Sequence, residues 1–273
     1  MPLLDARRSI LPPSLKISAC IITLNEEKNL ARCLHSIRPL VDEIVIIDSG
    51  STDQTSQIAS SFKARFIAHP WEGYVSQKNF ALSNASHPWI LSIDADEELS
   101  AELLKNLQSL KSKKEHPAGY ELSRIVEYQG VKIFYGDWFP DRLVRLFQKG
   151  KAHFSGGAVH ERLEVNGPIQ RIDGYLWHYT YQNREDREER IHHYANLWAK
   201  TAIQKGKITT PFSPYLHAGW RFFRGYILKQ GFRNGTLGWE IAWGNAREVF
   251  MKYTILNEKI KKPQKKSRIS HPF

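Results

Sequence analysis

The sequence predicts an α/β fold, a doubly wound mixed sheet with a helical C-terminal extension. Short apolar, β-branched runs alternate with amphipathic helical stretches over the first hundred residues, and alternation at this spacing is typical of a doubly wound sheet. Hydrophobic residues make up 41% of the 273 residues and aromatic residues 12%. This composition allows a buried core and excludes a disordered chain.

Hydrophobic periodicity places the elements of the first part of the chain. The run 17–24 is apolar and β-branched, as expected for a buried parallel strand. The stretch 25–37 has apolar residues three or four positions apart, which predicts a helix with one buried face. Thr52 or Asp53 is placed to cap the helix that follows the second strand. Further strands are predicted at 43–48, 64–68 and 89–93, and further helices at 74–83 and 99–110.

The pattern changes in the middle of the chain. Over 119–177, short strands alternate with Gly, Asp and Pro turns, which predicts mixed or antiparallel sheet that completes the same domain. Helices are predicted at 184–206 and, with breaks at Gly231 and Gly235, at 211–258. We therefore divide the chain into an α/β domain at 15–206, a helical, aromatic and basic extension at 207–260, and a basic disordered tail at 261–273.

The net charge of +11 is concentrated in the last quarter of the chain. Residues 201–273 contain 14 Lys and Arg against 3 Asp and Glu, whereas residues 1–200 contain 25 of each kind. A basic segment of this kind favours an anionic partner, such as lipid headgroups, nucleic acid or a phosphorylated acceptor.

The sequence shows few targeting or redox features. Residues 1–14 contain no apolar run of signal-peptide length, and we expect no transmembrane helix, since a span needs a stretch of about 18 apolar residues. Cys20 and Cys33 lie in apolar patterns without a CxxC or Cys/His cluster. This disfavours a disulfide scaffold or a structural zinc site and favours a reducing compartment.

Three predicted strands end in polar or acidic residues. Asn25 and Glu26 follow the first strand, Asp48 ends the second, and Asp94-Ala95-Asp96 follows the fourth. Because ligands of doubly wound sheets bind beyond the carboxyl ends of the strands, these residues predict a site at that edge.

Asp94 and Asp96 are candidate metal ligands. Two carboxylates one residue apart can converge on a divalent cation, and oxygen ligands suit Mg²⁺ or Mn²⁺ bridging to a diphosphate. The alternative is that Asp96 caps a helix whose first turn contains Glu97 and Glu98.

A set of segments along the chain resembles one enzyme family. The segments are Ser18-Ala-Cys-Ile-Ile-Thr-Leu-Asn-Glu26, Ile44-Val-Ile-Ile-Asp-Ser-Gly-Ser-Thr-Asp53, Asp94-Ala-Asp96, Gly136-Asp-Trp-Phe-Pro-Asp-Arg-Leu-Val-Arg-Leu-Phe147, Val159-His-Glu-Arg162, His178-Tyr-Thr-Tyr181, Tyr226-Ile-Leu-Lys-Gln-Gly231 and Lys252-Tyr253. Together they resemble family 2 glycosyltransferases with the GT-A fold. Within that family they are similar to the lipopolysaccharide-core subgroup, which includes a heptose β-1,4-glucosyltransferase. The resemblance covers about residues 17–260.

The resemblance implies a nucleotide-sugar donor, a UDP-sugar, and assigns residues to it. Thr23, Asn25 and Glu26 would lie near the nucleoside, and Asp48 would bind the uracil through its imide N–H. Asp53 lies further along the same loop as a donor residue, with a helix N-cap as the alternative.

Basic residues are implied as contacts of the donor phosphates. Lys78, within Gln77-Lys78-Asn79, would contact the donor phosphate or sugar as a point charge; the alternative is an exposed helical lysine. Arg142 and Arg145 lie in an apolar run and could brace a diphosphate. Alternation along a strand puts them on opposite faces, and we assign Arg145 to the donor.

An inverting transfer needs a general base that deprotonates the acceptor hydroxyl. The resemblance leads us to choose Glu161, although the common Glu-Asp pair of the family is missing there. Asp137 and Asp141 are rivals, and a salt bridge of Glu161 with Arg162 or Arg145 is the structural alternative.

His178 ends an apolar strand and is a third candidate metal ligand beside Asp94 and Asp96. A histidine in this place would complete the metal shell or touch the diphosphate; a satisfied, partly buried histidine is the alternative.

The region from Phe212 to Tyr253 contains eleven aromatic residues interleaved with Arg and Lys. This mixture suits a membrane interface, where rings lie at headgroup level and cations meet anionic lipid. One alternative is helices packed on the α/β domain with a solvated basic face. Another is single-stranded nucleic acid, which we disfavour because the first 200 residues are neutral and contain no RNA-binding motif.

These observations together predict an inverting, metal-dependent hexosyltransferase. It would move a sugar from a UDP-sugar to a lipopolysaccharide-core or related envelope glycan, a lipid-linked or phosphorylated acceptor, as a peripheral protein on the inner face of the cytoplasmic membrane. The alternatives are a glycosyltransferase with a protein or polyprenyl-phosphate acceptor, and a non-catalytic protein that binds nucleotide sugars or other anions.

Overall fold

The computed structural model describes residues 15–157, 160–181 and 184–261. Its strands are β1 Ile17–Thr23, β2 Glu43–Asp48, β3 Arg65–Ala68, β4 Trp89–Ser92, β5 Glu97–Leu99, β6 Gly119–Tyr128, β7 Val131–Lys132, β8 Asp141–Gln148, β9 Ala152–Gly157, β10 His160–Val165 and β11 Ile169–His178. Its α-helices are α1 Leu30–Ile37, α2 Thr55–Ser61, α3 Tyr74–Asn84, α4 Ala101–Leu110, α5 Arg184–Gln204, α6 Ser213–Phe223 and α7 Gly235–Lys261, with a π-helix at Arg224–Leu228 and a 3₁₀-helix at Gly231–Asn234 between the last two. These elements confirm the predicted α/β fold with a helical C-terminal part.

The chain divides into two compact units. Within the described residues, the first comprises 15–126 and 141–180, and the second comprises 127–140 and 181–261. The sequence-based division into 15–206, 207–260 and 261–273 stays a prediction, and residues 262–273 of the predicted tail lie outside the part of the chain that the structure describes.

The sheet of the first unit is mixed. Its strands follow the order β3-β2-β1-β4-β8-β6-β11-β5. The first four are mutually parallel, β8 is antiparallel to β4 and β6, β11 is parallel to β6, and β5 is antiparallel to β11. Strands β9 and β10 form a separate antiparallel pair. The carboxyl ends of the parallel strands therefore meet at one edge, as the sequence predicts.

The core of the first unit confirms the predicted periodicity. Strand β1 is buried at six of its seven positions. In α1 the four residues Leu30, Cys33, Leu34 and Ile37 are fully buried, at the spacing of one helix face. Burying each leucine or isoleucine contributes roughly 2 kcal/mol, so this face anchors α1 against the sheet.

Helix α1 begins later than the sequence predicts. The sequence predicts a start at Asn25, but Asn25 has a φ of 56° and the helix begins at Leu30. The backbone N–H groups of Asn25, Glu26 and Glu27 donate instead to side-chain oxygens of the loop after β2 and of the first residue of α2. A tertiary contact between two loops therefore replaces the first predicted turn of helix.

The predicted helix at 99–110 also begins later. Residues Glu97–Leu99 form β5, which pairs with β11, and α4 begins at Ala101. The side chain of Ser100 accepts a hydrogen bond from the backbone N–H of Leu103 and so caps α4. The alternative in which Asp96 caps this helix is therefore wrong.

Both cysteines are free and buried. Desolvation by burial is the largest cause that raises the pKa of the Cys20 thiol, to about 12. A protonated, buried thiol is chemically inert, in line with a structural rather than a redox role for this residue.

The second unit is mainly helical. Helix α7 packs against α5 and α6, and a small core forms around Tyr128, Ile133 and Ile241. Arg187 is buried in this unit, with its guanidinium 5.5 Å from the ring centroid of Tyr128 and 5.1 Å from that of Trp138. None of the described helices is long and apolar enough to cross a membrane.

Candidate active site

Asp94 lies in the turn after β4 and is surrounded by cations. Its carboxylate lies 2.6 Å from Arg145 Nη2, 3.1 Å from Lys78 Nζ and 4.0 Å from Arg124 Nη1. Desolvation by itself would raise the pKa of Asp94, but the charges of Arg145, Lys78 and Arg124 outweigh it and hold the pKa well below its usual value. Asp94 is therefore an ionised carboxylate at neutral pH.

Glu97 is a fully buried carboxylate at the same site. It accepts hydrogen bonds from Arg145 at 2.5 Å, from Arg124 at 3.0 Å and from the backbone N–H of Asp94 at 3.0 Å. Glu97 thereby fixes both arginines and the start of the acidic turn. The sequence pattern alone indicates Glu97 only as an acid in the first turn of a helix. A signal for it is the presence of Arg124 and Arg145 in strands, since arginines with little exposure need acidic partners.

Lys78 connects the acidic turn to the β9–β10 pair. Its ammonium lies 3.1 Å from Asp94 and 3.3 Å from Glu161, and its side chain is only 8% exposed. The alternative of an exposed helical lysine is therefore wrong. Glu161 pairs with Lys78 rather than with the two arginines considered as structural partners from the sequence.

Asp96 and His178 form a second pair. Asp96 Oδ2 lies 3.3 Å from His178 Nε2, with 23% and 14% of the side chains exposed. The pairing of β11 with β5 sets this geometry, and the backbone N–H of Tyr179 donates to the Asp96 carbonyl at 2.9 Å. His178 Nδ1 is buried without a hydrogen-bond partner among the described residues.

The side chains of Asp96 and His178 suit a divalent cation that takes its remaining ligands from a substrate. Within 15–157, 160–181 and 184–261, no group of three His, Cys, Asp or Glu side chains is arranged to hold a metal ion. Asp96 and His178 nevertheless supply one oxygen and one nitrogen at a partly open position. Mg²⁺ sites typically use one or two carboxylates together with substrate phosphates, so the pair fits such an ion. The carboxylate of Asp94 is instead engaged by Lys78 and Arg145.

Asp48 organises the loop after β2. Its Oδ1 accepts the backbone N–H groups of Gly50 at 2.9 Å and Ser51 at 2.8 Å, and its Oδ2 accepts the hydroxyl groups of Thr23 at 2.8 Å and Ser51 at 2.5 Å. Asp48 and Thr23 are both buried. These four hydrogen bonds use the full accepting capacity of a carboxylate, so Asp48 fixes the conformation of this loop. The predicted contact of Asp48 with the uracil ring stays a prediction.

Asn25, Glu26 and Asp53 join the loops after β1 and β2. Asn25 Oδ1 accepts the backbone N–H of Thr52 at 2.9 Å, and the N–H of Glu26 donates to Thr55 Oγ1. Asp53 Oδ1 accepts the N–H of Thr55, the first residue of α2, at 3.0 Å. The N-cap residue of α2 is Gln54, and no side chain caps the helix, so neither Thr52 nor Asp53 is the N-cap that the sequence predicts. The donor role of Asp53 stays a prediction. These residues therefore lie together beyond the carboxyl ends of β1 and β2.

The two alternative candidates for the general base, Asp141 and Asp137, contact other residues than Glu161 does. Asp141 pairs with Arg124 at 2.7 Å. Asp137 belongs to the second unit, where its buried side chain contacts three cations. Arg142 is exposed whereas Arg145 is buried, which confirms that the two arginines do not share one face.

Comparison with known proteins identifies the family. Residues 18–136 match the model of glycosyl transferase family 2. An uncharacterized glycosyltransferase of Rickettsia conorii is 32% identical over 263 residues, covering 89% of this chain and 90% of the relative. The chain belongs to glycosyl transferase family 2. The mixed α/β sheet of the first unit agrees with the GT-A fold that the resemblance implies.

A relative with a more specific name is also similar over most of its length. The lipopolysaccharide core biosynthesis glycosyltransferase LpsC of Rhizobium meliloti is 30% identical over 257 residues, covering 89% of this chain and 95% of the relative. Among solved structures, S. aureus TarS 1–349 in complex with UDP-GlcNAc is 14% identical, with a TM-score of 0.45, and the match covers 90% of this chain and 92% of that chain.

Proposed function

We propose that this protein is an inverting glycosyltransferase that transfers a sugar from a UDP-sugar to a lipopolysaccharide-core or related envelope glycan. The observation that carries the proposal is that Lys78 pairs with Glu161 at 3.3 Å and with Asp94 at 3.1 Å. Two positions after Asp94, Asp96 pairs with His178 at 3.3 Å. The family and the similarity to LpsC support the acceptor class.

Glu161 serves in this proposal as the general base. Its carboxylate accepts the proton of the acceptor hydroxyl as that oxygen attacks the anomeric carbon of the sugar, and the configuration inverts. Lys78 is a positioning residue for this step, because its buried ammonium holds the Glu161 carboxylate from one side. The same ammonium contacts Asp94 and so ties the base to the acidic turn.

The donor lies in this proposal across the carboxyl edge of the sheet. Thr23, Asn25, Glu26 and Asp48 shape the nucleoside end, and the uridine assignment rests on the resemblance of the loop that contains Asp48 and Asp53. Arg145 and Lys78 place positive charge next to the acidic turn and favour the donor phosphates. Asp96 and His178 would hold Mg²⁺ or Mn²⁺, and Asp94 would join them as a third ligand only on release from Lys78 and Arg145. The cation would offset negative charge on the departing nucleoside diphosphate.

The second unit supports the proposed acceptor and location. Its aromatic and basic residues suit an anionic bilayer surface, so we place the enzyme at the inner face of the cytoplasmic membrane. A lipid-linked or phosphorylated glycan is the acceptor that such a location favours.

Calorimetric binding of UDP in the presence and absence of Mn²⁺ tests the donor site. We expect Mn²⁺ to strengthen UDP binding to wild type, and Asp96→Asn to weaken binding with Mn²⁺ by about tenfold or more. Asp173→Asn, at an exposed position of β11, is the matched control and leaves binding unchanged. Failure of wild type to bind UDP would overturn the uridine assignment. Equal binding by wild type and Asp96→Asn would overturn the role of Asp96.

A further inference from the structure

One buried carboxylate in the second unit is surrounded by three cations. The side chain of Asp137 is 1% exposed. Its carboxylate lies 3.0 Å from Arg221 Nε, 2.9 Å from Arg224 Nη2 and 3.4 Å from Lys229 Nζ. The carboxylate offsets only one of the three positive charges. Two positive charges therefore remain in excess at this point, which we call the basic clamp (Arg221, Arg224 and Lys229 on Asp137).

Close backbone packing builds the basic clamp. A Cβ atom on Gly225 would lie 2.9 Å from Asp137 Oδ2, and a Cβ atom on Gly231 would lie 2.6 Å from the carbonyl oxygen of Gly225. Glycine at these positions lets the π-helix approach Asp137. Arg224 donates from both Nε and Nη2 to Asp137 Oδ1, at 3.1 and 2.9 Å. The carboxylate is therefore inside, while 33–41% of each cationic side chain stays exposed.

An apolar stripe runs along the same segment. It consists of residues three or four positions apart, each 44–73% exposed: Phe212, Leu216, Trp220, Phe223 and Ile227. This spacing places them on one helix face. Soluble proteins rarely expose a contiguous apolar surface of this kind, and such a surface marks a contact with a partner or a membrane.

We propose that the apolar stripe and the basic clamp together seat residues 212–229 in the headgroup region of an anionic bilayer, with a lipid phosphate bound by Arg221, Arg224 and Lys229. The proposal rests on the membrane location in the proposed function and adds the residues and the lipid chemistry. A helix with an exposed apolar face and flanking cations lies in the interface plane. A guanidinium with unused N–H groups binds phosphate in a fixed geometry.

The composition of the stripe favours lipid over nucleic acid. Single strands bind to aromatic rings by stacking of their bases, and aliphatic side chains offer no such surface. Leu216 and Ile227 belong to the stripe, and Leu228 beside them is also exposed. Aliphatic groups next to headgroup-level rings and cations match the boundary between headgroups and acyl chains.

Vesicle sedimentation tests the clamp with a charge-matched control. The full chain is mixed with vesicles of phosphatidylcholine alone or of phosphatidylcholine with phosphatidylglycerol. Lys229→Gln leaves Asp137 paired with both arginines, and we expect about fivefold weaker binding to the anionic vesicles. Lys205→Gln removes the same charge from an exposed position elsewhere in this unit and is expected to weaken binding less than about twofold. Equal weakening by the two variants overturns the clamp and leaves only a diffuse basic surface.

Two further variants separate geometry from charge. Arg224→Lys keeps the charge but loses the two-donor contact, and we expect about two- to threefold weaker binding to anionic vesicles. Leu216→Ser is expected to weaken binding to both vesicle types, whereas Ile169→Ser, exposed on β11, is not. Thermal unfolding of each variant checks the fold.

The outcomes distinguish this proposal from the proposed function. If wild type binds neither vesicle type, the membrane location is wrong together with the clamp, whereas the donor site is tested separately by UDP binding. If wild type binds vesicles but Arg224→Lys and Lys229→Gln bind like wild type, only the clamp is wrong. Tighter binding to a single-stranded oligonucleotide than to anionic vesicles overturns the choice of lipid.

Discussion

The ammonium nitrogen of Lys78 lies 3.3 Å from a carboxylate oxygen of Glu161, although 83 positions separate the two residues in the chain. Helix α3 carries Lys78 and strand β10 carries Glu161, and the side chain of Asn79 bonds α3 to the backbone of Phe154 in the neighbouring strand β9. The proposed base therefore has a defined position relative to the acidic turn rather than lying on a free hairpin.

Replacement of the proposed base should abolish turnover and spare donor binding. We expect Glu161→Gln to lower the rate of UDP release from its UDP-sugar donor by about 10²- to 10⁴-fold, the usual contribution of a general base. UDP binding by calorimetry should change little. Glu164→Gln, on the same strand and exposed, is the control and should retain the wild-type rate. A Glu161→Gln variant with wild-type turnover would move the base to another residue.

Glu97 should matter more to stability than any other acid of the turn. Glu97→Gln leaves the buried Arg145 with one acidic partner fewer and weakens the contact with the Asp94 N–H. Loss of one partner of a buried ion pair costs about 3 kcal/mol, and urea unfolding at neutral pH measures it. Glu102→Gln, exposed in the first turn of α4, should cost less than about 1 kcal/mol. Equal decreases in the free energy of unfolding for the two variants would show that the contacts of Glu97 with the arginines do not stabilise the fold more than an exposed acid does.

The strands of the sheet and the acidic residues at their carboxyl ends could be predicted from the sequence, because both depend on neighbouring residues in the chain. Buried strands appear as apolar runs, and Asp48, Asp94 and Asp96 appear directly where such runs end. The periodicity of α1 also predicted its buried face. Local patterns thus located the edge where the candidate residues lie.

The parts that could not be predicted depend on contacts between distant segments. Residues Glu97–Leu99 look like the start of a helix, yet they form β5 because β11 offers a strand edge about 80 positions later. The first predicted turn of α1 gives its N–H groups to the loop that contains Asp53. The pairing of Lys78 with Glu161 likewise has no local signature.

Asp94 should stabilise the fold at neutral pH and lose that effect only in strong acid. Its folded pKa is held below the ordinary value of 3.8, mainly because the cations led by Arg145 outweigh the cost of burial. As pH falls, the unfolded chain therefore takes up the proton first. The stabilisation is complete above about pH 5 and is lost progressively as pH drops through the folded pKa.

Urea unfolding of Asp94→Asn at three pH values tests the direction in which the stabilisation by Asp94 changes with pH. The variant should be less stable than wild type by about 2 kcal/mol at both pH 7 and pH 5, and the difference should shrink at about pH 3. Asp173→Asn, at an exposed position, should differ little from wild type throughout. A difference that grows as the solution becomes more acidic would contradict a lowered pKa for Asp94.

Replacement by alanine of two glycines six positions apart should change the free energy of unfolding in opposite directions. A Cβ atom on Gly219, in α6, would meet nothing within 4 Å, whereas a Cβ atom on Gly225, in the π-helix, would lie 2.9 Å from Asp137 Oδ2 and 3.3 Å from its Cγ. Alanine is favoured over glycine in helices by about 1 kcal/mol, so Gly219→Ala should raise the free energy of unfolding by that amount. Gly225→Ala should lower it by about 1–3 kcal/mol, because Asp137 must move away from its cations or the π-helix must shift.

Urea unfolding and vesicle binding measured together decide whether that packing also serves the membrane contact. Displacement of Asp137 disturbs the contacts with Arg221 and Arg224, so Gly225→Ala should bind anionic vesicles more weakly than Gly219→Ala while both bind neutral vesicles alike. If Gly225→Ala is destabilised but binds like wild type, the glycine is needed only for packing. If both variants are stabilised, Asp137 has room to move, and the close approach of the π-helix does not hold the carboxylate in place.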